Sequence, residues 1–164
     1  MTTFPQDLAK KFNDQTTAEI QASMIYLQLS YELENKGLTG MAAWMRNHSV
    51  EEMGHAERFS NHLLNRGVVP QINTVSIPEM KVVQPIDAFK LALEHEKKVS
   101  EMIRDLVRAA DEASDFDSRP MLNWFLDEQI EEEATVSEII DRLAVAGEDG
   151  AGILRVDAEL NSEG

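Results

Sequence analysis

The sequence predicts an all-α fold: a four-helix bundle with one long crossover and a short fifth helix at its C-terminal end. Three observations predict it. Apolar residues recur at three- and four-residue intervals through four stretches, and no stretch alternates as a strand does. Each stretch is about 27 residues or longer, beyond the usual globular helix, so the helices must lie along one another. Finally, the links between the first and second and between the third and fourth stretches are short, whereas residues 68–85 form one long connection.

The first helix is expected over about 5–35, stopping at Lys36-Gly37, because glycine ends helices by adopting a left-handed backbone. The second, about 40–66, follows Thr39 and is closed by Gly67. The connection VVPQINTVSIPEMKVVQP holds three prolines and no helical period. A third helix over about 86–113 is broken by ASDFDS, and a fourth over about 119–146 carries Pro120 in its first turn and ends at Gly147. The last segment, 153–160, is amphipathic. Short links make the first and second helices antiparallel, and likewise the third and fourth. The crossover is long enough to return the chain along the bundle, leaving the second and third parallel.

A chain of 164 residues suits one domain with a sizeable core, and 43% hydrophobic content excludes a disordered chain. No apolar run approaches the ~20 residues that span a membrane. The start, MTTFPQDLAKKF, lacks the basic and apolar blocks of a secretory signal. Cysteine is absent, which excludes disulfides, zinc ribbons, iron–sulfur clusters and thiol catalysis and fits a cytoplasmic protein. The net charge of −15 repels nucleic acid and anionic membranes, so neither is expected as a partner, and it attracts cations.

At the 3.5-residue spacing of a bundle, each helix shows an apolar seam interrupted near its middle by a carboxylate. On the first helix Glu19 lies between Phe12 and Tyr26, and on the second Glu52 and His55 lie between Met45 and Phe59. Glu96 interrupts the third between Leu93 and Ile103, and Gln129 and Glu132 interrupt the fourth between Phe125 and Val136. Glu52 and His55 are three apart, so both face the same way and can grip one metal ion. Four buried carboxylates cannot all stay ionised without a compensating cation. Carboxylate and imidazole ligands suit iron or manganese, and this many anionic groups implies two ions. His48 and His62 read as packing or surface residues. A second apolar stripe on the first helix, Ile20, Met24, Leu27 and Tyr31, points to a partner subunit, the alternative being that it packs under the long crossover.

Glu19 with Tyr26, the stretch EEMGH (51–55), Glu96, and EQIEEE (128–133) resemble the bacterial non-haem ferritins. The similarity continues through INTV in the crossover and the GEDGAGILRVDAEL tail. It implies a ferritin-like bundle assembled as a hollow shell of twenty-four copies, which stores and detoxifies iron. The implied activity is that of a ferroxidase, oxidising Fe2+ with O2 or H2O2 and depositing ferric mineral inside. By this resemblance Glu19, Glu52 and His55 hold a first iron, with Glu52 bridging to a second held by Glu96 and Glu132, and Gln129 beside it. Glu51, Glu128 and Glu131 match residues of a third iron site that Glu132 is placed to share, and Tyr26 matches a redox-active tyrosine. Besides a purely structural or interaction bundle that holds no metal, two alternatives remain open. Met53 stands where bacterioferritin carries haem, although Gln129 and Glu132 replace that family's Glu-x-x-His, so no haem is expected. A non-storing di-iron oxidase or rubrerythrin-like peroxidase is the other, although rubrerythrins usually add a Cys-rich module.

Overall fold

The computed structural model describes residues 1–163. It is all-helical, as the sequence predicts: α1 (Gln6–Glu34), α2 (Thr39–Asn65), α3 (Pro85–Glu112), a single 3-10 turn (Phe116–Ser118), α4 (Arg119–Ala146) and α5 (Gly150–Glu163). α1 packs against α2 and α3, α3 pairs with α4, and α5 lies across α2 and α4.

Helix ends follow from local chemistry. Gly37, at φ 79°, lets Leu38 N–H donate to Leu33 O (3.1 Å) and Gly37 N–H to Glu34 O (2.9 Å), closing α1 in a Schellman turn. The same pair of bonds recurs at Gly67 after α2. After α3 the left-handed residue is Ser114 (φ 53°), which glycine spacing alone does not announce. At the start of α3, Gln84 and Asp87 form a reciprocal capping box.

The core is divided. One apolar cluster includes Leu29, Leu33, Met41, Met45, Phe89, Val136 and Leu160; the other includes Phe4, Phe12, Phe59, Leu63, Ile103 and Phe125. Each fully buried Phe or Leu side chain contributes about 1.5–3 kcal/mol. Phe59 and Phe125 stack at 4.2 Å across the second cluster. Between the two lies the layer of polar seam residues.

The crossover runs over α1, and its polar groups are satisfied by side chains four residues apart on one helix face. Gln71 N–H donates to Asn13 Oδ1 (2.9 Å), Asn73 N–H to Thr17 Oγ1 (3.0 Å), and Gln21 Nε2 to Ser76 O (2.7 Å). The crossover therefore leaves the second stripe of α1 uncovered, with Met24 38%, Leu27 37% and Tyr31 53% exposed.

α5 is longer than the 153–160 that apolar periodicity gives. Asp149 caps it: its carboxylate accepts Gly152 N–H (3.1 Å) and its carbonyl accepts Ile153 N–H (3.0 Å), so the helix opens three residues earlier. α5 in turn caps α2, because Asp157 Oδ1 accepts the otherwise orphaned Met41 N–H at 2.7 Å. This docking needs Gly40, where a Cβ would lie 1.9 Å from Asp157 O. At the opposite end Arg66 donates to both carboxylate oxygens of Asp115 (2.7 and 3.0 Å) and lies over the Phe4 ring. Burial opposes ionisation of Asp115, but hydrogen bonds from Arg66 and Ser118 outweigh it and hold its pKa below the ordinary value.

Gly40→Ala is expected to lower the Tm and to speed hydrogen exchange selectively in α5. Asp115→Ala leaves Arg66 buried and unpaired and is expected to cost about 3–5 kcal/mol, read from denaturant unfolding.

Candidate metal centre

Each of the four long helices delivers a carboxylate to the layer between the clusters. Glu19 (0% exposed), Glu52 (1%), Glu96 (1%) and Glu132 (5%) are the buried acids of this layer. Reciprocal bonds between Ser23 and Ser49, each hydroxyl donating to the other's carbonyl at 2.7 Å, fix α1 against α2 beside it.

The ligand atoms of Glu19, Glu52 and His55 lie within 4.8 Å of one another, and so do those of Glu52, Glu96 and Glu132. Glu52 belongs to both groups, while His55 and Glu132 are also shared with groups that include Glu128 or Glu51. His55 Nδ1 lies 3.1 Å from Glu52 and 4.0 Å from Glu19, while its Nε2 is 3.7 Å from Glu128. Tyr26 donates its hydroxyl to Glu96 Oε1 at 2.6 Å. Gln129 Nε2 donates to Glu96 Oε2 (3.1 Å), Glu96 O (3.2 Å) and Ser100 Oγ (3.1 Å).

Burial, followed by the negative charge of Glu52, pushes the Glu19 pKa well above its ordinary value. Burial and then Glu96 do the same to Glu52, and burial raises Glu96 despite its bond from Tyr26. Burial and then the Glu96 charge push Tyr26 up. Glu132 is the exception. Burial works against its ionisation, but His48 outweighs that and lowers its pKa, while Glu132 raises that of His48 in spite of burial.

The donor set fits a hard or borderline divalent cation such as Fe2+. Glu19 Oε2 and Glu52 Oε1 have neither a hydrogen-bond partner nor exposed surface, so two carboxylate oxygens in the layer lack the partners that buried acceptors normally have. They stand where the group shared by Glu19, Glu52 and His55 would take an ion.

The structure thus brings together Glu19, Glu52, His55, Glu96, Gln129, Glu132 and Tyr26. Glu51 and Glu128 stand at the rim: Glu51 groups with His48 and Glu132, and Glu128 with His55 and Glu132. Glu131 is exposed and belongs to no such group. His48, which reads from sequence as a packing or surface residue, lies against the centre. Its Nε2 is 3.4 Å from Glu132, its Nδ1 faces Trp44 O at 3.2 Å, and its ring stacks on the Trp44 indole. The available signal was its place in the α2 seam, four residues before Glu52. Gln15, which the seam spacing does not mark, donates Nε2 to Glu19 Oε1 at 3.0 Å. His62 does pack, stacking on Phe12 with Nε2 2.8 Å from Ser118 Oγ.

A four-helix bundle interrupted by a buried carboxylate layer, with a Glu-x-x-His pair on one helix, is the architecture of the ferritin-like class. The chain belongs to the ferritin-like domain family, whose sequence profile matches residues 9–145. It is 34% identical over 155 residues to the bacterial non-haem ferritin of Bacteroides fragilis (strain 638R), covering 94% of this chain and 96% of that protein. The bacterial non-haem ferritin of Escherichia coli O6:H1 is 33% identical over 156 residues, covering 95% of this chain and 94% of the other. Among solved structures, the open-pore ferritin of Archaeoglobus fulgidus superposes with a TM-score of 0.95 at 32% identity, covering 98% of each chain. An engineered closed form of the A. fulgidus ferritin gives 0.94 at 33% identity, covering 96% of each.

Raised carboxylate pKa values carry a sign for stability. Glu19, Glu52 and Glu96 bind protons more tightly folded than unfolded, so their contribution is present below the ordinary 4.5 and is lost as pH rises towards the raised folded values. Glu132, with its lowered pKa, acts in the opposite sense. The metal-free protein is therefore expected to lose Tm as pH rises above about 4.5, and a divalent cation added while the carboxyls still hold protons to restore it with release of protons, both measurable by calorimetry.

Proposed function

We propose that this chain is an iron-storage ferritin with ferroxidase activity, acting as a homo-oligomer of twenty-four copies in the cytoplasm. The observation that carries this reading is Glu52, common to two ligand groups in a buried layer that holds unpartnered carboxylate oxygens. Such a layer takes two Fe2+ ions as substrate, Glu19, Glu52 and His55 holding one and Glu52, Glu96 and Glu132 the other. Each Fe2+ gives up one electron. The pair reduces O2, with two protons, to H2O2, or reduces H2O2, with two protons, to two molecules of water. Protons displaced from the buried carboxylates as the metal binds lie close to where the reduced oxygen needs them.

Carboxylate oxygens favour the harder Fe3+ product, which drives the oxidation. Gln129 orients Glu96 through its amide. Tyr26 stands beside the centre as its redox partner and steadies Glu96 through its hydroxyl, 2.6 Å away. Around Glu132 the rim acids Glu51 and Glu128 offer a third iron position, with the exposed Glu131 outside those groups. The net charge of −15 steers Fe2+ towards the assembly. The uncovered α1 stripe of Met24, Leu27 and Tyr31 is the contact face between copies.

Aerobic loading with excess Fe2+, followed by size-exclusion chromatography with iron detection, tests the reading. Iron far above two per chain, eluting with an assembly of several hundred kilodaltons, is the expected result. Two irons per chain on a small species would leave only a di-iron oxidase, and no retained iron would remove the function. Glu52→Ala takes away the ligand common to both positions. It is expected to slow initial Fe2+ oxidation by more than the roughly ten- to hundred-fold seen when a group that merely orients a ligand is lost.

A further inference from the structure

We propose that Gln15 is a positioning residue of the metal centre: its amide holds Glu19 so that only Oε2 is presented to the cation. The inference rests on the reading of the centre given above and extends it to a residue outside the ligand set. Gln15 lies on α1 one turn before Glu19, 1% exposed, and donates Nε2 to Glu19 Oε1 at 3.0 Å. The other oxygen, Glu19 Oε2, has no partner and is the one that faces His55 Nδ1, at 4.0 Å. The carboxylate is thereby divided into an oxygen tied to the protein and an oxygen left for a ligand.

Packing does not explain an amide here. The Gln15 Oε1 is itself buried without a partner, so the side chain carries an unsatisfied acceptor that an apolar residue of the same size would avoid. What the amide supplies in return is one N–H aimed at a carboxylate, and a donor of that kind favours the ionised, metal-ready form. The opposite half of the centre has the same device. Gln129 Nε2 donates to Glu96 Oε2 at 3.1 Å, so one buried glutamine amide steadies a carboxylate on each side of the shared Glu52. On the Glu96 side Tyr26 occupies the other oxygen at 2.6 Å, and on the Glu19 side nothing does. Glu19 therefore keeps an unpartnered oxygen of its own before any ion arrives, whereas both oxygens of Glu96 are taken.

Gln15→Met tests this, because it keeps the length and removes the N–H. The assembled full-length protein, free of iron, is titrated anaerobically with Co2+ and followed by visible absorption, alongside the Tm and the Fe2+ dependence of the initial oxidation rate. The expected result is a Tm no lower than that of the unchanged protein. One of the two Co2+ positions should weaken by about ten- to a hundred-fold while the other is kept. The KM for Fe2+ should rise with kcat less affected. Gln15→Glu, which places a charge against Glu19 and offers no N–H, should weaken the same position at least as much. Two Co2+ positions of unchanged affinity in Gln15→Met would overturn the inference while leaving the centre intact. Should the unchanged protein itself bind no Co2+ and oxidise no Fe2+, the reading of the centre would fall and this inference with it.

Discussion

Mutual repulsion among four carboxylates shut away from water is the constraint on which the rest of this structure depends. Two unit charges about 4 Å apart interact by about 4 kcal/mol even at an effective dielectric of 20. A whole domain is stable by only about 5–15 kcal/mol. The layer of Glu19, Glu52, Glu96 and Glu132 therefore exists only with protons or cations in it, and only because something else holds the helices together. That something is the pair of apolar clusters on either side, anchored by Phe12, Phe59 and Phe125 at one end and by Met41, Met45 and Phe89 at the other. The length of the helices follows from the same constraint, since a mid-depth polar layer needs an apolar grip above and below it.

Rigidity is secured at both ends as well as beside the centre, where Ser23 and Ser49 fasten α1 to α2. Arg66 and Asp115 tie the end of α2 to the segment before α4, and Asp157 ties α5 to the start of α2. With both ends fixed, ligands on four different helices keep their spacing without any loop contributing to the site.

Much of this is legible in the sequence, for a physical reason. A bundle repeats its inward positions every three to four residues, so the spacing alone turns a glutamate that falls on that period towards the core. Glu19, Glu52, Glu96, Gln129 and Glu132 all declare themselves in that way. His48 is on the same period, but a lone histidine in an apolar seam more often packs than binds, and only its 3.4 Å approach to Glu132 distinguishes it. Gln15 lies beside the seam, and its partner emerges only from the side-chain geometry. The early start of α5 is hidden because Asp149 acts through a capping bond and leaves no apolar period. The fastening of the crossover by Asn13, Thr17 and Gln21 is equally hidden, since those residues look like an ordinary solvated helix face.

Glu52 stands in both ligand groups, and that sharing makes occupancy of the two halves interdependent. A cation arriving at either half strips the proton from a side chain the other half also needs, so the second position is partly prepared by the filling of the first. Against this stands the repulsion of two cations held side by side, which the doubly shared anion screens. Two Fe2+ ions held there would give up their electrons together, sparing the surroundings the reactive fragments left when oxygen is reduced one electron at a time.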